Sequence, residues 1–125
     1  MMRFDKFSER AQDVAARAAE IIQRYGHNQI DSEHILLALI EQPDGTVSQL
    51  IEMGKVEPAV IADRLDVILR TTPKANIFGG PAGQVFLTPR VKMVVDLAKT
   101  EANRLGDEYI STEHLFLALD RKSVV

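Results

Sequence analysis

The residues able to do chemistry in this chain come in matched pairs. Ser8, Glu33 and His34 are each followed, 80 positions later, by Thr88, Glu113 and His114. A hydroxyl residue that opens a helix sits beside unpaired backbone N–H groups and the positive end of the helix dipole, a place that readily takes an anion. A carboxylate in the first turn of a helix can accept from a guanidinium. If helix starts of these two kinds lie near each other, the chain offers a place for a ligand carrying both charges. Capping accounts for the same residues without any ligand, at about 1 kcal/mol for the cap and a few tenths for an acid near the dipole.

Other chemistry is poorly provided for. Zinc wants three or four converging ligands, whereas adjacent Glu33-His34 and Glu113-His114 point their side chains about 100° apart around a helix. The motif H-E-x-x-H is absent. Ser32 and Ser111 lie near a histidine in sequence, but a triad needs a buried acid behind the imidazole. No catalytic residue and no metal ligand is assigned, and the histidines are read as satisfied by hydrogen bonds at the edge of the core. The phosphate-cradling pattern G-x-x-x-x-G-K-[ST] is missing too: Gly54-Lys55 has no glycine at the required spacing before it, and Gly79-Gly80-Pro81-Ala82-Gly83 has no lysine after it. No cofactor is expected to bind here.

The elements that must position these residues repeat as they do. Phe7 to Ile40 realigns without a gap on Leu87 to Asp120, keeping Arg10/Arg90, Val14/Val94, Ala18/Ala98, Arg24/Arg104, Gly26/Gly106, Ile30/Ile110 and the Leu37-Ala38-Leu39 and Leu117-Ala118-Leu119 runs. Such a repeat predicts one folding unit duplicated, the two packed about a pseudo-two-fold axis. The periodicity is helical almost throughout, giving an all-α fold class. Ser8 caps a helix to about Tyr25 that buries Val14, Ala18, Ile21, Ile22 and Tyr25, and Gly26 ends it. Its second copy opens at Thr88-Pro89 and carries Val91, Val94, Val95, Ala98, Ala102 and Leu105 up to Gly106. The next helices, through Ile35–Ile40 and Leu115–Leu119, are apolar on every side and belong at the centre of each unit. Asp31-Ser32-Glu33 and Ser111-Thr112-Glu113 supply their hydroxyl caps and acidic first turns.

The first unit continues into a helix over Thr46 to Met53 with Val47, Leu50 and Ile51 inward, stopped by Gly54. A fourth helix starts near Glu57-Pro58 with Val60, Ile61, Leu65, Ile68 and Leu69 on one face. Thr71 to Phe86, rich in glycine and proline, is read as the linker between unit one (residues 7–70) and unit two (87–125). The second unit has no counterparts of the third and fourth helices, so either the chain stops short of its full second unit or some apolar surface of Leu115 to Leu119 is poorly covered.

With 125 residues and 46% of them hydrophobic, the chain has room for one domain with a real core. It contains no cysteine, which excludes disulfides and thiolate zinc sites. A net charge of −3 with acids and bases interspersed argues against a nucleic-acid partner. There is neither a signal-peptide pattern nor an apolar run of membrane-spanning length, so a cytoplasmic protein with no membrane partner is expected.

Phe7-Ser8-Glu9-Arg10-Ala11, Gly26-His27-Asn28 and Ser32-Glu33-His34-Ile35-Leu36, repeated as Leu87-Thr88-Pro89-Arg90 and Thr112-Glu113-His114-Leu115, resemble the double Clp-N motif. That motif makes the amino-terminal domain of ClpC- and ClpB-type AAA+ unfoldases, and the resemblance covers nearly the whole chain. It implies a pair of four-helix repeats, here with the second incomplete, and a non-catalytic domain that sits on its parent's ATPase ring and binds adaptor proteins or client proteins. ATP and Mg would belong to ATPase modules absent from this chain. In ClpC-type domains the glutamates of the motif and the hydroxyls at the first-helix start form phosphoarginine sites, which carries that role to Glu33 with Ser8 and to Glu113 with Thr88. Ser8 stands where many relatives have threonine and keeps the hydroxyl. The linker and the stretch from Leu105 to His114 are equally similar to ClpB-type domains, which would imply exposed apolar segments of unfolded proteins as clients. A stand-alone regulatory module that borrows the fold for protein contact is a further alternative.

Overall fold

Local chemistry sets the helix ends in the computed structural model, which describes residues 6–43, 45–73 and 85–121. Ser8 and Thr88 cap α1 (Glu9–Arg24) and α5 (Pro89–Arg104), their side-chain oxygens accepting from the N–H groups of Ala11 and Val91. Each helix stops at its expected glycine. Gly26 and Gly106 both have φ of 75°, and the residue after each returns its N–H to the last turn, His27 to Ile22 O and Asp107 to Ala102 O. This is the glycine-centred cap that closes the final carbonyls. After α1 come β1 (Gln29–Ile30) and α2 (Ser32–Glu41); then α3 (Thr46–Met53), α4 (Pro58–Thr71) and β2 (Phe86–Leu87) precede α5, and α6 (Thr112–Arg121) follows it. The architecture is all-α, as expected, with two-residue strands added.

Gly54 stops α3 in a different way from the other two. It is the last residue with φ below zero, and Lys55 takes the left-handed conformation at φ 63°. The N–H groups of Lys55 and Val56 then bond to Glu52 O and Ile51 O.

The two units share one core. α1 packs on α2 and α5 on α6, and α2 and α6 meet at the centre. Val14, Ala18, Ile21 and Ile22 of α1 and Val91, Val94, Ala98 and Ala102 of α5 are buried as their spacing predicts. Tyr25 and Val95 are only half-buried, and Leu105, at the α5 cap, is exposed. On α4 the buried stripe is narrower than expected. Leu65 and Leu69 are buried and Ile61 and Ala62 pack against the core, but Val60 and Ile68 face solvent because α4 covers α2 and α3 from one side. Leu50 of α3 is likewise exposed, while Val47 and Ile51 are inward.

The central helices differ where their sequences agree. Leu37 is 2% exposed and its counterpart Leu117 is 44% exposed. The difference follows the packing: α3 and α4 both lie on α2, whereas of that pair only α3 packs substantially on α6 among the described residues. The expected linker from Thr71 to Phe86 falls mostly outside the described residues; Thr71 ends α4 and Phe86 begins β2. No helix among the described residues is long and apolar enough to cross a membrane.

The strands tie the units together in a crossed manner. β1 pairs with β2 in parallel, Gln29 opposite Phe86 and Ile30 opposite Leu87, and Phe7 makes the matching parallel bridge to Ile110. The segment that leads into the first helix of each unit thus pairs with the segment that leads into the second helix of the other.

Candidate functional site

The crossing decides which helix starts are neighbours. Ser8 N–H donates to Ile110 O at 2.9 Å, and Thr88 N–H donates to Ile30 O at 3.1 Å. The start of α1 therefore lies against the start of α6, and the start of α5 against the start of α2. This corrects the expected pairing. Thr88 adjoins the helix that carries Glu33, and Ser8 adjoins the helix that carries Glu113. The helix starts do lie together, between units and not within them. All four side chains are half-buried and open to solvent on one side.

The two places are not chemically equal. At the α5 start, the Thr88 hydroxyl donates to Asp31 Oδ1 at 3.1 Å while accepting from Val91 N–H at 3.2 Å. Arg90 grips the same carboxylate with both arms, Nε to Oδ1 at 3.2 Å and Nη2 to Oδ2 at 3.0 Å. Burial pushes the Asp31 carboxyl up, but the Ser32 N–H, Arg90 and Thr88 outweigh it and hold it below the usual carboxylate range. Asp31 raises the Arg90 guanidinium in return, and Glu33 adds to that attraction. At the α1 start, Ser8 Oγ accepts from Ala11 N–H at 3.1 Å. Ser111 occupies the position equivalent to Asp31. Arg10, the counterpart of Arg90, donates to Pro43 O at 3.3 Å. Glu113 receives the Thr112 hydroxyl on Oε1 at 2.8 Å.

Sequence reasoning missed Asp31 as the cap; its reading of the histidines as satisfied by hydrogen bonds holds for the buried His34 and His114, and the structure adds what those bonds do. Asp31, not Ser32, caps α2, and the buried Ser32 is inside the first turn. His34 reaches back so that its Nδ1 accepts from Asp31 N–H at 2.9 Å, and His114 does the same to Ser111 N–H at 2.9 Å. These are reciprocal capping boxes with histidine in the place of glutamate or glutamine. The spacings Asp31-x-x-His34 and Ser111-x-x-His114 were the available signal.

The bond at Nδ1 also sets the protons. With Nδ1 accepting, neutral His34 carries its hydrogen on Nε2 and donates it to His27 Nδ1 at 3.0 Å. His27 must then be protonated on Nε2, a buried atom with no hydrogen-bond partner among the described residues. Burial first, and His27 second, push the pKa of His34 down to about 4. In the second unit the residue equivalent to His27 is Asp107, whose Oδ2 lies 3.0 Å from His114 Nε2.

An acid does stand behind the His114 imidazole, though an exposed one and not the buried acid a triad needs, and Ser111 Oγ is 2.9 Å from His114 Nδ1. The chain of Ser111, His114 and Asp107 is nevertheless a cap. The single Nδ1 lone pair already takes the Ser111 N–H, the Asp107 side chain is 51% exposed, and His34 makes the identical backbone bond with no serine hydroxyl involved. Among the described residues no group of three or more His, Cys, Asp or Glu is placed to hold a metal ion.

Comparison with known proteins agrees with this architecture. The family model described as the Clp repeat N-terminal domain matches residues 6–124. The chaperone protein ClpB of Oceanobacillus iheyensis is 36% identical over 121 residues, which are 97% of this chain and 14% of that protein. The negative regulator of genetic competence ClpC/MecB of Bacillus subtilis is 34% identical over 121 residues, again 97% and 14%. Among solved structures, the Hsp104 N-terminal domain from Candida albicans superposes with a TM-score of 0.79 at 21% identity, over 92% of this chain and 73% of that one. The N-terminal domain of the ClpV1 ATPase from E. coli gives a TM-score of 0.80 at 24% identity, over 93% and 68%. The chain spans about one seventh of the length of the curated relatives it matches.

Proposed function

We propose a client- and adaptor-docking role for this chain, starting from the fact that it belongs to the Clp repeat N-terminal domain family. In this reading it is the non-catalytic recognition domain of an ATP-dependent chaperone or protease subunit. It captures protein partners, while ATP hydrolysis and threading belong to modules outside the chain. The ligand class that suits its polar surface is a phosphoarginine side chain on a client, whose phosphoryl group seeks hydroxyl and N–H donors and whose guanidinium seeks a carboxylate.

One observation carries the reading. The crossed pairing sets a hydroxyl-capped helix start against a second helix start that has a glutamate in its first turn, once at Ser8 with Glu113 and once at Thr88 with Glu33. Both charges of the ligand are complemented within one short stretch of surface. The test is an NMR titration of the chain with free phosphoarginine, against arginine plus inorganic phosphate as control. Saturable shifts around these helix starts with phosphoarginine alone are expected; their absence overturns the phosphoarginine reading.

A second reading has its own support. An apolar cavity of about 30 Å³ lies between α1 and α5 on the pseudo-two-fold axis, walled by Val14, Ile35, Leu87, Val94 and Leu115 among others. Its apolar lining, with room for about a methyl-sized group, suits the tip of an aliphatic side chain from an unfolded client. Titration with an aliphatic-rich unfolded peptide that shifts these residues, with no response to phosphoarginine, would favour it.

A further inference from the structure

We infer that the two helix-start sites differ in availability: Asp31 closes the Thr88 site with the chain's own Arg90, and the Ser8 site alone is open to a ligand that joins a guanidinium to a phosphoryl anion. This inference rests on the phosphoarginine reading and assigns its stoichiometry and location. A hydroxyl has one proton to give, and that of Thr88 already goes to Asp31 Oδ1 at 3.1 Å. A phosphoryl oxygen arriving there would lose the donor and face a carboxylate at the same distance, a like-charge contact. Burial pushes that carboxyl up, but the Ser32 N–H, Arg90 and Thr88 outweigh it and hold it below the usual carboxylate range, so it stays ionised at neutral pH.

The cationic half of the ligand is pre-empted as well. Arg90 spends Nε and Nη2 on both oxygens of Asp31 and also feels the charge of Glu33. It thus brings a cation from within the chain into the field of Glu33, where the ligand's guanidinium would otherwise supply one. The Ser8 site has none of this. Its position equivalent to Asp31 is the neutral Ser111, and its counterpart of Arg90, Arg10, is bonded away to Pro43 O. Among the described residues the Ser8 hydroxyl proton and Glu113 Oε2 have no protein partner. The duplicated fold thus carries one lock and one open door, and the lock also bonds unit one to unit two.

Calorimetric and NMR titration of the chain with free phosphoarginine, for the wild type and for Asp31→Asn, tests this. Asparagine caps a helix about as well as aspartate and matches its size, so the change removes the charge that holds Arg90 and spares α2. The wild type should take one equivalent, with shifts centred on Ser8 and Glu113, and Glu113→Ala should abolish that binding. Asp31→Asn should take a second equivalent that shifts Thr88 and Glu33 and survives Glu113→Ala. Two equivalents on the wild type, or one alone on a folded Asp31→Asn, overturns the lock and leaves the phosphoarginine reading standing. No binding to either protein overturns the reading and the inference with it. Asp31→Ser, which copies the residue at position 111, is the second variant; should neither fold by circular dichroism, the wild-type stoichiometry decides.

Discussion

Acid should weaken this protein through His34 in a way that a single substitution can isolate. In the folded chain His34 has a pKa of about 4, against an ordinary value of 6.5 when unfolded. Above the unfolded value neither state holds the extra proton, so the contribution to stability is complete. As pH falls below it, the unfolded chain gains a proton that the folded chain refuses, and stability drops until the folded pKa is reached. Over the whole interval the loss is about 3 kcal/mol, and between about pH 8 and about pH 4.5 it is about 2.5 kcal/mol. The structural cause is specific. A proton on Nδ1 would evict the Asp31 N–H from the capping box, and the imidazole is buried against a second histidine. Carboxylates also titrate in this range, so the comparison must be with a chain that keeps them. His34→Gln does so, because glutamine at the same position can reach back to Asp31 N–H and does not titrate. Urea unfolding followed by far-ultraviolet circular dichroism at several pH values gives the two profiles. The wild type should lose about 2 to 3 kcal/mol more than His34→Gln over that range. Parallel profiles would refute the reasoning, because the acid sensitivity would then come from the shared carboxylates.

The remaining expectations concern the backbone and the core. Lys55→Gly should stabilise the chain by about 1 kcal/mol, seen as a higher urea midpoint at constant slope, because Lys55 sits in a left-handed conformation that favours glycine. Gly106→Ala should cost about 1 to 2 kcal/mol through φ alone, since an added Cβ meets nothing within 4 Å. Leu37→Ala should cost about 2 to 5 kcal/mol and Leu117→Ala less than about 1, by the same urea assay, because the first side chain is 2% exposed and the second 44%. Equal losses at the two leucines would mean that α6 is covered as fully as α2.

What could be read from the residues was whatever depends on near neighbours in the chain. The helical periodicity, the Ser8 and Thr88 caps, the glycine stops at Gly26 and Gly106 and the duplication all report hydrogen bonds and faces formed within about one or two turns, so they are present in any window of the sequence. The histidine capping boxes were legible in the same sense, as Asp31-x-x-His34 and Ser111-x-x-His114, and were missed only because glutamate and glutamine are the usual residues there.

Contacts between the units followed a different logic. Nothing local says that Phe7 bridges to Ile110 or that β1 pairs with β2, so nothing local says that Ser8 adjoins the helix of Glu113 and not that of Glu33. Identical Leu-Ala-Leu runs likewise end up with one leucine enclosed and the other in water, because burial depends on which helix arrives to cover each. The pairing of Asp31 with Arg90 spans 59 residues and joins two units whose sequences differ at that position, aspartate in one and serine in the other. The amino-acid sequence determined the helices, their caps and their two-fold plan. The tertiary structure alone decided which helix starts became neighbours and which carboxylate stands between them, because those choices are made by surfaces meeting across a long stretch of chain.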